Sequence, residues 1–478
     1  MREINNICCI GAGYVGGPTM AVIADKCPHI EVNVVDINKD RILAWNNPNT
    51  EEIPIFEPGL SEIVKRCRGV NLNFSTEVKK HIAMADMIFI SVNTPTKTNG
   101  VGAGKASDLK WVESSARQIA EHARGYTIVV EKSTLPVKTA EVIKSILEES
   151  QNLTPNKNQP KFSVLSNPEF LAEGTAINDL LHPDRVLIGG ESKKDIELLS
   201  EIYHKWVPEN KIIKTNIWSS ELAKLTANAF LAQRVSSINS IAALCEATGA
   251  DVREVSRAIG TDSRIGSKFL DCGPGFGGSC FKKDILNLVY LSEYFGLQEV
   301  ADFWESVVTL NKWHQHRISN LITKKLFGTL ANKKILILGF AFKANTNDTR
   351  ESAAIQICKD LLEEGADLYI HDPKVSCNQI EIDLGFKQKI QDDENNIKSK
   401  TISEGNWFFV TNHIDAFDNV DAVIILTEWS IYKEIDWNNM SKKMRRPGWV
   451  FDARSITEKE TIKKAGLKLW RLGDGLTE

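Results

Sequence analysis

The sequence lacks an apolar run long enough to cross a bilayer. About 18 consecutive apolar residues are needed, and none of its 478 positions begins one. The opening stretch Met1-Arg2-Glu3-Ile4-Asn5-Asn6 is polar, without the apolar core of a secretory leader. No charge of one sign dominates. Lys and Arg number 58 against 62 Asp and Glu, a net charge of −4, so no broad cationic field exists to attract nucleic acid or anionic lipid. Any anionic ligand has to be held by local groups. Lys442-Lys443-Met444-Arg445-Arg446 is too short a basic patch to change this and reads as a solvated face. The nine cysteines are odd in number and irregular in spacing, and Cys8, Cys9, Cys245 and Cys358 lie in apolar runs. That suits reduced thiols of a cytoplasmic enzyme better than a disulfide framework. The nine histidines show no metal spacing: His314 and His316, two apart, do not share a helix face. No Cys-x-x-Cys or His-Glu-x-x-His occurs, so no metal site is expected.

What the chain has is alternation. Hydrophobic residues make up 42% and charged residues 25%, enough apolar material for a core of normal size. Short Ile- and Val-rich runs at 7–10, 32–35, 87–92, 127–130, 162–165 and 186–188 are separated by helix-length segments. This pattern predicts buried parallel strands in a doubly wound sheet, with the loops after the strands on one edge. From Ser219-Ser220-Glu221 to Ala247 the sequence is Ala-, Leu-, Ile- and Ser-rich, with few charges after Lys224. It predicts one helix about 45 Å long, buried on most sides and serving as a spine and subunit interface. Further helices are expected at 251–259, 284–295 and 300–326. The alternation returns at 335–338, 368–370, 422–426 and 449–451. Residues 388–404 are polar and read as a solvated insertion. The fold expected is therefore α/β, with two doubly wound Rossmann-like domains joined by a long central helix. The divisions fall at 1–217, 218–329 and 330–478.

Gly11-Ala12-Gly13-Tyr14-Val15-Gly16 follows the first strand and opens a helix. Gly11 permits the tight turn, Gly13 lets backbone approach a pyrophosphate, and Gly16 allows close helix–strand packing. The charge of the pyrophosphate faces the helix N-terminus. Asp36 ends the next strand, twenty residues after Gly16. An acid there accepts bonds from both ribose hydroxyls and repels a 2′-phosphate, which favours NAD over NADP. Asn93-Thr94-Pro95-Thr96 and Glu131-Lys132-Ser133-Thr134 follow the third and fourth runs on the same edge. Each is either part of the cofactor cleft or a plain polar loop. The later Gly339-Phe340-Ala341-Phe342-Lys343 repeats the turn without its full glycine set, and its strand partner ends at Asp372. Its ligand should differ.

Gly273-Pro274-Gly275-Phe276-Gly277-Gly278-Ser279-Cys280 carries four glycines in six residues, ending in a thiol at the start of an expected helix. Such a loop exposes N–H groups that wrap a ligand. A helix N-terminus with Lys282 and Lys283 nearby favours a thiolate. A half-buried structural cysteine is the alternative. A nucleophilic thiol beside an NAD site has a chemical use. Added to an aldehyde, it gives a thiohemiacetal that loses a second hydride to become a thioester, which water cleaves to an acid.

These segments, together with Phe89–Thr96, Ser166-Asn167-Pro168-Glu169-Phe170-Leu171-Ala172-Glu173-Gly174 and Asp348-Thr349-Arg350-Glu351-Ser352, resemble the UDP-glucose/GDP-mannose dehydrogenase family. The likeness runs through essentially the whole chain and is strongest to the members that oxidise UDP-glucose. It implies an NAD-dependent, four-electron oxidation of UDP-glucose to UDP-glucuronate, a polysaccharide or glycosaminoglycan precursor, consuming two NAD and one water. By the same resemblance Cys280 is the nucleophile, Lys224 and Asp284 hold a water and stabilise an oxyanion, and Thr134 and Glu169 serve proton transfer and thioester hydrolysis. Asn228, one turn after Lys224, contacts the sugar. Taken without the resemblance, Lys224 and Asn228 are equally well polar positions of an interface helix. The implied NAD contacts are Gly11, Gly13, Val15, Gly16, Asp36, Arg41, Thr94, Thr134, Glu173 and Arg350. The implied sugar-nucleotide contacts are Glu169, Phe170, Leu171, Glu173, Lys224, Asn228, Arg264, Phe276, Gly277, Gly278, Phe342, Lys343 and Arg454. The residue matching Arg264 reaches a neighbouring subunit's site in this family, which implies a homo-oligomer, either a dimer or a hexamer built from dimers. The chain departs from the family's animal members at Pro274, at Asp452-Ala453-Arg454-Ser455, at Glu51-Glu52 and in its short tail.

Overall fold

A strand covered on both faces takes apolar residues at every position, and the Ile- and Val-rich runs form such strands. The computed structural model describes residues 3–134, 136–152, 160–389 and 405–476. Its first sheet contains β1 (Asn6–Ile10), β2 (Glu31–Val35), β3 (Leu72–Ser75), β4 (Met87–Ile90), β5 (Tyr126–Glu131), β6 (Lys161–Ser166), β7 (Val186–Gly190) and β8 (Ile212–Thr215). Their order is β3-β2-β1-β4-β5-β6-β7-β8. Period-two alternation sends Ile7, Cys9, Val32, Val34, Phe89 and Val130 into one core. Their neighbours Cys8, Ile10, Val35, Ile88, Ile90 and Val129 go into another on the opposite face. The second sheet contains β9 (Lys334–Leu338), β10 (Asp367–His371), β11 (Asn406–Phe409), β12 (Ala422–Ile425), β13 (Trp449–Asp452) and β14 (Lys468–Arg471), in the order β11-β10-β9-β12-β13-β14. This is the 3-2-1-4-5-6 order of a dinucleotide-binding sheet, and the first six strands of the first sheet share it. At β9, Ile335 to Leu338 are fully buried, each contributing roughly 1.5–3 kcal/mol of burial energy.

The structure corrects the expected topology in two respects. β6 and β7 pair antiparallel, through Leu165 with Gly190 and Ser166 with Gly189, so the first sheet is mixed. Four strands (β3, β8, β11 and β14) were not visible as apolar runs. All are edge or near-edge strands with polar residues among their positions. Of the expected insertion, Gln388 and Lys389 hydrogen-bond Phe409 and Trp407 of β11. Residues 390–404 lie outside the described residues.

The long helix runs Ile217–Thr248, 32 residues. It starts before Ser219, because the Asn216 side chain accepts from the Ser219 N–H at 2.8 Å and takes the capping role. Leu225, Ala229, Ala232, Ile238, Ala242 and Cys245 are buried, whereas Trp218, Leu222, Phe230 and Leu244 are exposed. Helices Val252–Gly260, Phe281–Tyr294 and Gln298–Lys325 follow as expected, with ends shifted by a few residues. The chain forms two compact units, Met1–Ala227 with Leu286–Ala301, and Asn228–Ile285 with Asp302–Glu478. Among the described residues no helix is long and apolar enough to cross a membrane.

Packing at the start of the first helix, Gly16–Lys26, leaves no room for a side chain. A Cβ on Gly17 would sit 2.2 Å from the ring of fully buried Trp45, whose indole N–H donates to the Ala12 carbonyl at 2.9 Å. Gly17→Ala should therefore displace Trp45 and lower stability by about 1–3 kcal/mol, the usual range for overpacking. A urea-unfolding midpoint unchanged from wild type would contradict this packing.

Candidate active site

The first glycine turn sits where the sheet order reverses, between β1 and β4. Gly11 has φ +110°, and a Cβ there would lie 2.1 Å from the Ser91 carbonyl oxygen. A Cβ on Gly16 would lie 2.1 Å from the Gly11 carbonyl and 3.2 Å from the Cys9 sulfur. These two glycines are required by packing within the protein. Gly13 differs: a Cβ there would meet nothing within 4 Å, so the space beside it is open to a ligand. The helix after Val15 has no side-chain cap and no acid in its first turn; its Gly17 and Thr19 N–H groups close onto the Gly13 and Val15 carbonyls, so it is the positive end of the helix dipole that favours an anion there. This cradle fits a dinucleotide pyrophosphate. Asp36 is 8% exposed. It accepts from the Ala12 N–H at 3.0 Å and the Asn38 N–H at 2.9 Å, and pairs with Arg41 at 3.1 Å. The acid thus shapes the turn and carries Arg41 beside it.

Thr94 and Thr134 are brought together, the Thr94 hydroxyl donating to the Thr134 carbonyl at 3.1 Å. The segment around Thr134 is held by an acid pair absent from the sequence reading. Glu131 and Glu221, both nearly inaccessible, share a hydrogen bond. Burial, reinforced by the Glu221 charge, pushes the Glu131 carboxyl well up, so it is the protonated partner. Glu221 also accepts from the Lys138 N–H at 2.7 Å and the Ala140 N–H at 2.8 Å.

Glu169 lies at the centre of a second buried cluster. One carboxylate oxygen accepts from the Phe170 and Leu171 N–H groups at 2.8 and 3.1 Å. The other pairs with Lys132 at 2.8 Å. Burial would push Glu169 up, but Lys132, the Phe170 N–H and Lys224 outweigh it and hold the carboxyl below its usual range. Lys132 is 3% exposed and also bonds Asn167 at 3.1 Å and Tyr203 at 3.2 Å. Phe170 is flanked by two cations: the Arg185 guanidinium 3.8 Å and the Lys224 ammonium 5.2 Å from its ring centroid. Leu171 packs half-buried on the core, and Glu173 is half-buried in the same loop. In the sequence Glu131 and Lys132 read only as part of a cofactor-cleft or plain polar loop, Glu221 reads only as part of a helix start, and Arg185 has no role. A charged pair directly after the apolar run of β5 was the one available sign of Lys132 and Glu131.

In the second unit the thiol loop is wrapped tightly. The Gly273 N–H donates to Asn239 at 3.0 Å, and its carbonyl accepts from His314 at 3.0 Å. Burial pushes His314 down to about 4, so the ring is a neutral loop clamp. Asn311 bonds both the N–H and the carbonyl of buried Phe276, at 2.9 and 3.1 Å. A Cβ on Gly277 would lie 2.6 Å from the Glu351 carbonyl oxygen. Gly278, at φ +85°, donates its N–H to the Arg350 carbonyl at 2.8 Å. Cys280, half-buried, stands immediately before the helix Phe281–Tyr294, with its sulfur 3.5 Å from the Ser279 hydroxyl. All nine cysteines are free thiols. Asn228 and Asp284 are joined, the amide donating to the carboxylate at 2.6 Å. Phe342 packs on Gly277 and Gly278, and Lys343 lies over its ring at 5.5 Å. Arg454 donates to the Phe342 carbonyl at 2.8 Å and pairs with Glu428 at 3.1 Å. Arg350 pairs with Asp348. Arg264 is the exception: its side chain pairs with Asp262 and is 87% exposed. Among the described residues no group of three or more His, Cys, Asp or Glu could hold a metal ion.

Two outcomes follow from this geometry. By the resemblance Asp36 accepts from a ribose and repels a 2′-phosphate, and Asp36→Ala would remove both. NAD affinity should fall about tenfold or more and the gap to NADP should narrow; equal NAD affinity in a binding titration would contradict the assignment. Lys132→Met removes the cation that keeps Glu169 ionised, so the Glu169 carboxyl rises and its charge is lost at a higher pH. The acidic limb of the kcat profile should therefore move to higher pH, and a limb that stays in place would separate Glu169 from the rate.

Residues 5–207 match the NAD binding domain of the UDP-glucose/GDP-mannose dehydrogenase family, 218–313 its central domain and 336–459 its UDP binding domain. A UDP-glucose 6-dehydrogenase of Glycine max is 53% identical over 475 residues, covering 98% of this chain and 97% of that one. One of Bos taurus is 55% identical over 462 residues, covering 96% and 90%. Among solved structures, a UDP-glucose dehydrogenase from Pyrobaculum islandicum superposes with a TM-score of 0.81 at 29% identity, covering 99% of this chain and 98% of that one. With its two sheets, its glycine turn and its thiol loop in place, the chain belongs to the UDP-glucose/GDP-mannose dehydrogenase family.

Proposed function

We propose that this chain is an NAD-dependent dehydrogenase that oxidises UDP-glucose to UDP-glucuronate in two steps, with Cys280 as the covalent centre. The observation that carries the reading is the joint presence of an open cradle at Gly13 and a half-buried thiol at the end of a glycine loop. A two-electron alcohol dehydrogenase needs only the first. The level of identity to named UDP-glucose 6-dehydrogenases supports the substrate.

When bound, NAD supplies a hydride acceptor, used twice for each sugar. Gly11, Gly13, Val15, Gly16, Asp36, Arg41, Thr94, Thr134, Glu173 and Arg350 hold it. Glu169, Phe170, Leu171, Glu173, Lys224, Asn228, Phe276, Gly277, Phe342, Lys343 and Arg454 hold the sugar nucleotide, and Arg264 reaches that of a neighbouring copy. Oxidation of the C6 alcohol releases its hydroxyl proton and leaves an aldehyde. The Cys280 sulfur adds to the aldehyde carbon, and the resulting oxyanion takes up a proton as a thiohemiacetal. Loss of its hydride and hydroxyl proton gives a thioester. Water then adds, the C–S bond breaks, and UDP-glucuronate leaves with the thiol restored. Lys224 supplies positive charge to the oxyanions, with Asp284 and Asn228 orienting the water and the sugar hydroxyl. Glu169, kept ionised by Lys132, accepts a proton from the hydrolytic water, and Thr134 assists proton transfer.

We also infer three domains, 1–217 for NAD, 218–329 as the helical centre and 330–478 for the UDP-sugar, supported by the spans of the family domains. The exposed Trp218, Leu222, Phe230 and Leu244 of the long helix support a homo-oligomer, a dimer or a hexamer of dimers. Nine free thiols support a cytoplasmic setting. The deciding experiment is NADH formed per UDP-glucose consumed, with sugar limiting. Two per sugar is expected, and none of the acid from Cys280→Ala although that variant still binds NAD. One per sugar would demote the thiol. No NADH from UDP-glucose, but turnover of GDP-mannose or a UDP-N-acetylhexosamine, would move the chain to a sister activity.

A further inference from the structure

Glu57 lies in the loop before the helix Leu60–Cys67, outside every segment assigned above. It is an acid 5% exposed, and burying a carboxylate is unfavourable unless donors surround it. Its donors come from two distant places. The Tyr14 hydroxyl, from the centre of the Gly11–Gly16 turn, donates to one oxygen. The Gly174 N–H donates to that same oxygen at 2.5 Å, and the Ala176 N–H to the other at 2.9 Å. Gly174 closes the Phe170–Gly174 loop with φ +83°. Ala176 begins the helix Ala176–Leu181, whose own N-cap, Thr175, supplies no side-chain cap. Its hydroxyl turns instead to Asp179 at 2.9 Å. Glu57 therefore does for this helix what its cap residue does not, and binds the cofactor turn in the same act.

We propose that Glu57 is a positioning residue that ties the dinucleotide turn to the sugar-nucleotide loop through Tyr14, so that the two ligands bind cooperatively. This rests on the reading of the turn as the NAD site and of the loop as a sugar-nucleotide site. Filling the turn fixes Tyr14. Tyr14 fixes the Glu57 carboxylate, and the carboxylate fixes the N–H groups of Gly174 and Ala176. Any energy gained by ordering one segment reaches the other through this shared acceptor, and linkage makes the effect reciprocal.

Tyr14→Phe tests the tie with the smallest change, because it removes one hydroxyl and keeps the ring. Although Tyr14 belongs to the NAD turn, the variant should raise the KM for UDP-glucose about fivefold or more at saturating NAD, with kcat changed less. Glu57→Gln should raise both KM values, since an amide cannot present acceptors to all three donors. Adding Tyr14→Phe to it should raise the UDP-glucose KM no further. A Tyr14→Phe enzyme in which only the NAD KM moves, or a double variant in which the two effects multiply, would overturn the tie. Amide hydrogen exchange decides it independently of the substrate. NAD alone should slow exchange at Gly174 and Ala176 in the wild-type protein and fail to do so in Tyr14→Phe. Equal slowing in both would overturn the proposal, whereas a wild-type protein inactive on UDP-glucose would overturn only the substrate reading.

Discussion

Each sheet is locked at its switch point by one aspartate. Asp36, directly after β2, takes the Ala12 and Asn38 N–H groups. Asp372, directly after β10, takes those of Phe340, Ala341, Lys374 and Val375, with the Trp429 indole. A carboxylate has about four acceptor sites and no donors, so it gathers the backbone of a sharp turn as no neutral side chain does. Everything placed after β1 and β9 depends on these turns having one shape. The same device serves both halves, but the second turn carries Phe340, Ala341 and Phe342 where the first has Ala12, Gly13 and Tyr14.

The first unit extends this economy to its buried charges. Lys132 and Glu169 are matched to each other, and Glu131 is matched to Glu221 by sharing a proton rather than a charge. Buried ionic groups are a poor source of net stability, since desolvation offsets their attraction. Their value here is geometric. Each holds a loop that ends a strand: Glu221 the backbone at Lys138 and Ala140, Glu169 the backbone at Phe170 and Leu171. The second unit does the same work with neutral groups, Asn239, Asn311 and His314 clamping the loop before Cys280.

Central strands were legible because Ile7–Ile10, Met87–Ile90 and Ile335–Leu338 are apolar at every position. Edge strands were not. Leu72-Asn73-Phe74-Ser75 buries alternate residues, and Asn406–Phe409 is only partly covered, so neither forms a run. The antiparallel β6–β7 pairing has no compositional mark, since strand direction is set by the chain path. The glycine turn, Asp36 and the loop ending at Cys280 stood out in the sequence by spacing and composition, and the structure packs Gly11 and Gly16 tightly and gives Asp36 the turn's Ala12 N–H. Glu57 did not: in Phe56-Glu57-Pro58-Gly59 it reads as a solvated turn acid, and its burial comes from Tyr14 and from residues 117 and 119 positions later. Lys132 was hidden for a related reason, because only the fold brings Glu169 and Tyr203 to it.

The six-residue helix Ala176–Leu181 shows what such distant pairing entails for assembly. A segment this short does not hold helical structure alone, and its first amide, that of Ala176, is satisfied by a group 119 residues earlier in the chain. Contacts of high sequence separation form slowly, after the loop-closure entropy between them has been met. During synthesis Glu57 emerges well before its acceptor duties can begin. The loop at Phe170–Gly174 is thus expected to be among the last parts of the nucleotide-binding half to order, and a chain cut short before β6 would expose an acid built to be buried.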